Sequence, residues 1–208
     1  MAVSAVCWTE TTTEAMTRHQ IAVERWDRRL LWVGIAAALV LGVVLRVDQA
    51  QNTYFNPDEV QIVLSGNPND TAMAAAAGDH PLLGRLILYA AARVGGPSEL
   101  AVRAVPVAAG VVAPLLMFVW VKRLAGFTAA LATFVVTTLS PNLVALSAQA
   151  RGYTLLLALG AGAALTLKHA VDQRRVLTLV VSGLCLWAAI LTELSSAFLA
   201  AGLGVFGL

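Results

Sequence analysis

Residues 104–123 read AVPVAAGVVAPLLMFVWVKR. About 18 uncharged, mostly apolar residues closed by two cations have the length and composition of a helix that crosses a bilayer. Neighbouring stretches repeat the pattern. Leu30 to Leu45 is an apolar run of about 16 residues, near the lower limit for a span, with Arg46 and Asp48 at its far end. Leu124 to Ala150 is uncharged and is interrupted by Ser140-Pro141-Asn142 where one crossing is due to finish. Gly152 to Leu167 and Val176 to Thr192 read as two more spans, and Leu194 to Leu208 opens a further apolar run. Of 208 residues, 59% are hydrophobic and 12% charged, with mean hydropathy +0.77. Soluble domains carry about 25% charged residues. The expected fold is therefore an all-α integral membrane protein, a polytopic helical bundle.

Charge sets the expected topology. Arg25, Arg28 and Arg29 precede the first span, Lys122-Arg123 follow the second, and Lys168, Arg174 and Arg175 follow the fourth. With the N-terminus inside, all three groups fall on the cytoplasmic side, as the positive-inside bias requires. Arg46 and Arg103 fall on the outer side, against that trend. The net charge of +2 comes from these segment ends, and few aromatics accompany them, so no nucleic-acid partner is expected. Cys7 and Cys185 have neither metal nor redox spacing, so neither disulfide nor metal is expected from them. Residues 1–29 read as a polar cytoplasmic leader retained on the chain, because no small-residue cleavage site follows the first apolar run. Trp26, Trp32 and Trp120 read as interfacial anchors and Trp187 as packing.

Between the first two clear spans lies a polar island. It opens with Asn56-Pro57-Asp58-Glu59 and closes with Asp79-His80-Pro81, with the turn-rich Gly66-Asn67-Pro68-Asn69-Asp70 between. The outer loop, residues 48–100, is expected to carry interfacial helices. One is Leu82 to Val94, too short and too charged to span, and broken by Gly95-Gly96-Pro97. The expected topology places Asp58, Glu59, Asp79, His80, Gln149, Arg151 and Tyr153 on one membrane face. Carboxylates there can take a proton from an acceptor hydroxyl, and His80 or Arg151 can offset charge on a phosphate leaving group. Polar outer loops and Asp or Asn beside Pro are also ordinary turn chemistry.

Four motifs, in order, resemble one family. Asn56-Pro57-Asp58-Glu59 after a first span looks like the Asp-Glu pair in the first outer loop of GT-C glycosyltransferases, specifically the protein O-mannosyltransferase and aminoarabinose-transferase-like group. Gly78-Asp79-His80-Pro81-Leu82 is similar to that group's second acidic site, with Leu82 in place of a second proline. Ser98-Glu99-Leu100-Ala101-Val102-Arg103-Ala104-Val105-Pro106 resembles the segment leading into the second span. Ser140-Pro141 and Ser147-Ala148-Gln149-Ala150-Arg151-Gly152-Tyr153 resemble the outer turn before the fourth.

The resemblance covers about residues 30–200. It implies inverting transfer of a sugar from a polyprenyl-phosphate donor to a glycan, lipid or protein hydroxyl on the extracytoplasmic face. Asp58 would be the base, with Glu59 beside it, and Asp79 would bind or orient the acceptor. His80 and Arg151 would contact the donor, with Gln149 and Tyr153 nearby. No cofactor is implied beyond the donor itself, and a divalent ion bridging the carboxylates stays open. Members of the group have roughly twice as many spans, so residues 30–208 are expected to be the N-terminal part of such an enzyme. Two other readings compete: a non-catalytic membrane scaffold or assembly subunit, and a transporter piece, the latter weakened because the charges gather in a loop and not mid-span.

Overall fold

The computed structural model describes residues 29–54, 82–96 and 98–207. Asp58, Glu59, Asp79 and His80, with the whole polar island and residues 1–28 of the leader, lie outside them. The chain divides into two compact units, Met1–Leu39 and Val40–Leu208. Of the first, residues 29–39 are described. They form the opening turns of helix α1 (Arg29–Asn52) and expose Leu30, Trp32 and Val33, as lipid-facing residues would be.

The second unit is entirely helical among its described residues. After residues 40–52 of α1 come α2 (Leu82–Gly95), α3 (Glu99–Leu139), α4 (Pro141–Ser147), α5 (Tyr153–Gln173), α6 (Val176–Thr192) and α7 (Ser196–Gly207). Among the described residues, α1, α3 and α5 are long and apolar enough to cross a membrane, and α6 is a shorter apolar helix. The large residues exposed on α6, among them Leu179, Val180, Leu184 and Trp187, are those a bilayer would cover. The fold is that of an all-α membrane protein.

Helix α3 is a hairpin. As one straight helix its 41 residues would run about 60 Å, twice the hydrocarbon thickness. Gly126 has φ 85° and ψ −178°, a region essentially restricted to glycine, and the chain turns back there. Phe118 packs edge-on against Phe127 (ring centroids 5.9 Å) and Phe134 (6.0 Å). Residues 118 and 134 would be about 24 Å apart along a continuous helix. The two limbs, 99–125 and 127–139, therefore lie side by side, with Lys122-Arg123 at the tip, where the sequence places a basic turn between spans. Lys122 Nζ sits 5.9 Å from the centre of the Phe127 ring, a cation–π contact that packs the tip.

Small residues hold the bundle close. Ala109 and Ala113 of α3 pack on Ala158 of α5, and a side chain at Gly110 would strike Ser147. Ser182 of α6 donates to the Ala163 carbonyl of α5 across 2.9 Å. Helix α7 rests on α5, with Leu203 against Ala163 and Ala164. Close backbone approach through Ala, Gly and Ser is how membrane helices associate without a hydrophobic driving force.

Two expectations need correction. Arg46 and Asp48 do not end α1, which stays helical to Asn52. Trp187, expected to pack, is 62% exposed, whereas Trp120 packs against the Ala163–Ala164–Leu203 cluster. At Ser140-Pro141 α3 ends as the sequence expects; the short α4 follows, and the chain turns after Ser147.

The hairpin predicts that Phe118→Cys and Phe134→Cys, placed together in a background without Cys7 and Cys185, will be joined within one chain by a short bifunctional maleimide. A straight α3 would give no such product on electrophoresis.

Candidate functional site

Two buried arginines build one end of the bundle. Pro141 has no N–H, so the Thr137 carbonyl at the end of α3 loses the donor that would continue the helix. Arg46, reaching from α1, fills the gap. Its Nη2 donates to Thr137 O (3.3 Å), Nη1 to Thr138 O (2.7 Å) and to Gly42 O (2.9 Å), and Nε to Ser147 Oγ (3.2 Å). The side chain is 1% exposed. A cation placed on helix C-terminal carbonyls is also favoured by the helix dipole.

Arg103 does the same for α1. Its Nη1 donates to Ala50 O and Thr53 O, both at 2.7 Å, and its Nη2 to Tyr54 O at 3.1 Å. These are carbonyls at the C-terminal end of α1, so the first turn of α3 caps the last turn of α1. Ser98 begins α3 as N-cap, accepting from Ala101 N–H (3.2 Å), with Glu99 in the first turn. Sequence reading takes Arg46 and Arg103 as loop charges that violate the topological bias. Both are buried helix caps instead, so neither counts against it.

The turn between α4 and α5 closes on the same end. Ala148 packs with Ala50 and Val107, and Thr154 Oγ1 donates to Pro106 O at 2.9 Å. Arg151 N–H donates to Gln149 O (2.8 Å), a tight reversal, and Gly152 then opens α5. Gly152 is a packing requirement, because a Cβ there would lie 2.7 Å from the Thr192 carbonyl at the end of α6. Gly84 of α2 approaches the same carbonyl, and Gly95 at the other end of α2 meets Ala101 of α3. Both ends of α2 thus touch one end of the bundle, and α2 lies across it, as the sequence expects of an interfacial helix.

Of the sequence-predicted site residues, Gln149, Arg151 and Tyr153 come together here, each partly exposed. The half-buried Glu193, C-cap of α6, lies at the same end. The N-terminal end of α5 adds partial positive charge beside Arg151, and the C-terminal end of α6 with Glu193 adds negative charge. The segment containing Asp58, Glu59, Asp79 and His80 leaves the described chain at Tyr54 and returns at α2, both on this end. Among the described residues no group of three or more His, Cys, Asp or Glu side chains has the arrangement to hold a metal ion.

A family model for dolichyl-phosphate-mannose-protein mannosyltransferases matches residues 79–206, more than half of the 208 residues. The chain belongs to that family. Membership points to a GT-C type glycosyltransferase in a membrane. The matched segment takes in Asp79, His80, Arg103, Gln149, Arg151 and Tyr153, and begins after Asp58 and Glu59. No curated protein and no solved structure matches the chain.

Arg46→Ala leaves two buried carbonyls without their donor, which costs about 2–6 kcal/mol. The expected result is a large drop in the thermal unfolding midpoint in detergent micelles, with Arg46→Lys falling between the alanine variant and wild type because a single ammonium cannot reach all four acceptors.

Proposed function

We propose that this chain transfers a sugar from a polyprenyl-phosphate donor to a hydroxyl acceptor at the extracytoplasmic face of the membrane. What supports the reading is the gathering of Gln149, Arg151 and Tyr153, with Tyr54 and helix α2, at one end of a bundle that belongs to a mannosyltransferase family. The assignment of that end to the outside rests on the opposite end, where Lys122, Arg123, Lys168, Arg174 and Arg175 lie, through the bias of cytoplasmic loops toward Lys and Arg.

In this mechanism Asp58 removes the proton of the acceptor hydroxyl, whose oxygen attacks the anomeric carbon from the side opposite the phosphate. The bond from that carbon to the phosphate oxygen breaks, its electron pair stays on the oxygen, and configuration inverts. The departing polyprenyl phosphate gains negative charge. Arg151, the first turn of α5 and His80 are assigned to hold it. Glu59 and Asp79 orient the loop and the acceptor, and Gln149 and Tyr153 supply hydrogen bonds around the donor sugar. Arg103 fixes the end of α1 as far as Tyr54.

Membranes containing the protein, supplied with a panel of polyprenyl-phosphate sugars, provide the test. Asp58→Asn is expected to lower transfer by about 10²–10⁴-fold at unchanged protein level, the usual worth of a general base. Undiminished transfer in that variant would remove Asp58 from the role. Arg151→Gln is expected to weaken donor use, read as a raised KM for the lipid phosphate together with a lower kcat. An unchanged KM and kcat would exclude Arg151 from the donor site.

A further inference from the structure

The opposite end of the bundle carries a second feature. Helix α5 runs parallel to the first limb of α3: Thr154 bonds Pro106, Ala158 packs with Ala109 and Ala113, and Leu116 meets Gly162. This offset of about 45–49 residues, carried on at the common helical rise, sets Lys122 level with about residue 169 and Gly126 level with about residue 173. The hairpin tip and the α5–α6 turn therefore reach the same depth.

At that depth Lys122, Arg123, Arg174 and Arg175 are all exposed. Asp172 is the one acidic side chain at this end among the described residues, and it is engaged by Lys168 across 2.6 Å. Arg174 has φ 51°, a left-handed conformation at a helix end that Gly or Asn usually takes. The dipole of α5 accounts for a cation near its C-terminus, and the bias of cytoplasmic loops toward Lys and Arg for basic turns at this end; neither requires that the cations border bare aliphatic surface. Immediately beside them Leu124, Val176 and Leu177 are exposed, the last two at 74% each. Cations bordering bare aliphatic side chains match a phospholipid, with its headgroup on the charges and its chains along the apolar surface. A soluble polyanion would use the charges alone.

We propose that this end of the bundle binds an anionic phospholipid, its phosphate held by Lys122, Arg123, Arg174 and Arg175 and its acyl chains lying along Leu124 and Leu177. The proposal does not depend on the transferase reading.

The test uses the purified chain in nanodiscs of phosphatidylcholine, alone or with increasing phosphatidylglycerol, and follows the thermal unfolding midpoint and the lipid retained in native mass spectrometry. Wild type is expected to gain stability with phosphatidylglycerol and to retain it. The pairs Lys122→Gln with Arg123→Gln and Arg174→Gln with Arg175→Gln are each expected to weaken retention, by about fivefold per cation removed. Arg174→Lys with Arg175→Lys, which keeps the charge, is expected to bind nearly as wild type does and so separates charge loss from misfolding. Equal retention by wild type and both glutamine pairs would overturn the proposal, as would no response of wild type to phosphatidylglycerol. If inorganic phosphate added to phosphatidylcholine discs gives the same stabilisation, the site belongs to a soluble anion and the lipid assignment fails.

Discussion

A guanidinium buried among transmembrane helices is costly unless its donors find acceptors. Arg46 makes four hydrogen bonds, two of them at the place where Pro141 leaves the end of α3 short of a donor. The two defects cancel: a proline that would expose helix carbonyls, and an arginine that would otherwise be an unpaired charge. Because three of its four partners lie 91 to 101 residues away, the contact also fixes α1 against the α3–α4 junction. Arg103 repeats the arrangement in the other direction, from the start of α3 onto the end of α1. The end face of the bundle, with the Gln149–Tyr153 turn on it, depends on these two caps.

That face is assembled mostly from backbone ends, and this shapes its chemistry. The C-terminal carbonyls of α1 and α3 are taken by buried arginines, while the N-terminal turn of α5 keeps its N–H groups beside Arg151. The C-terminal end of α6, with Glu193, lies on the same face, so helix ends of both signs meet there.

Much of the architecture was legible in the sequence because its signals are local. Apolar runs marked the helices, Lys122-Arg123 and Arg174-Arg175 marked the reversals, and Gly95-Gly96-Pro97 marked the end of α2. The candidate site is described only in part. Gln149, Arg151 and Tyr153 do share a turn, whereas Asp58, Glu59, Asp79 and His80 fall outside the described residues. Arg46 and Arg103 were visible as charges but not as caps. A guanidinium that ends a loop and one that caps a distant helix look alike until the partner is known, although Pro141 at a helix break was a signal that some donor from elsewhere was needed.

The sequence by itself determined that this is a helical membrane protein, where its chain reverses, and which family it resembles. Those properties follow from hydropathy, charge and motif order, which add up along the chain. Only the tertiary structure decided that Phe118, Phe127 and Phe134 pack the two limbs of α3 together, that Gly152 must be small because Thr192 lies against it, and that Trp120 packs against α5 and α7 while Trp187 faces out. Such facts depend on which surfaces meet across dozens of residues, and hydropathy carries no information about the partner.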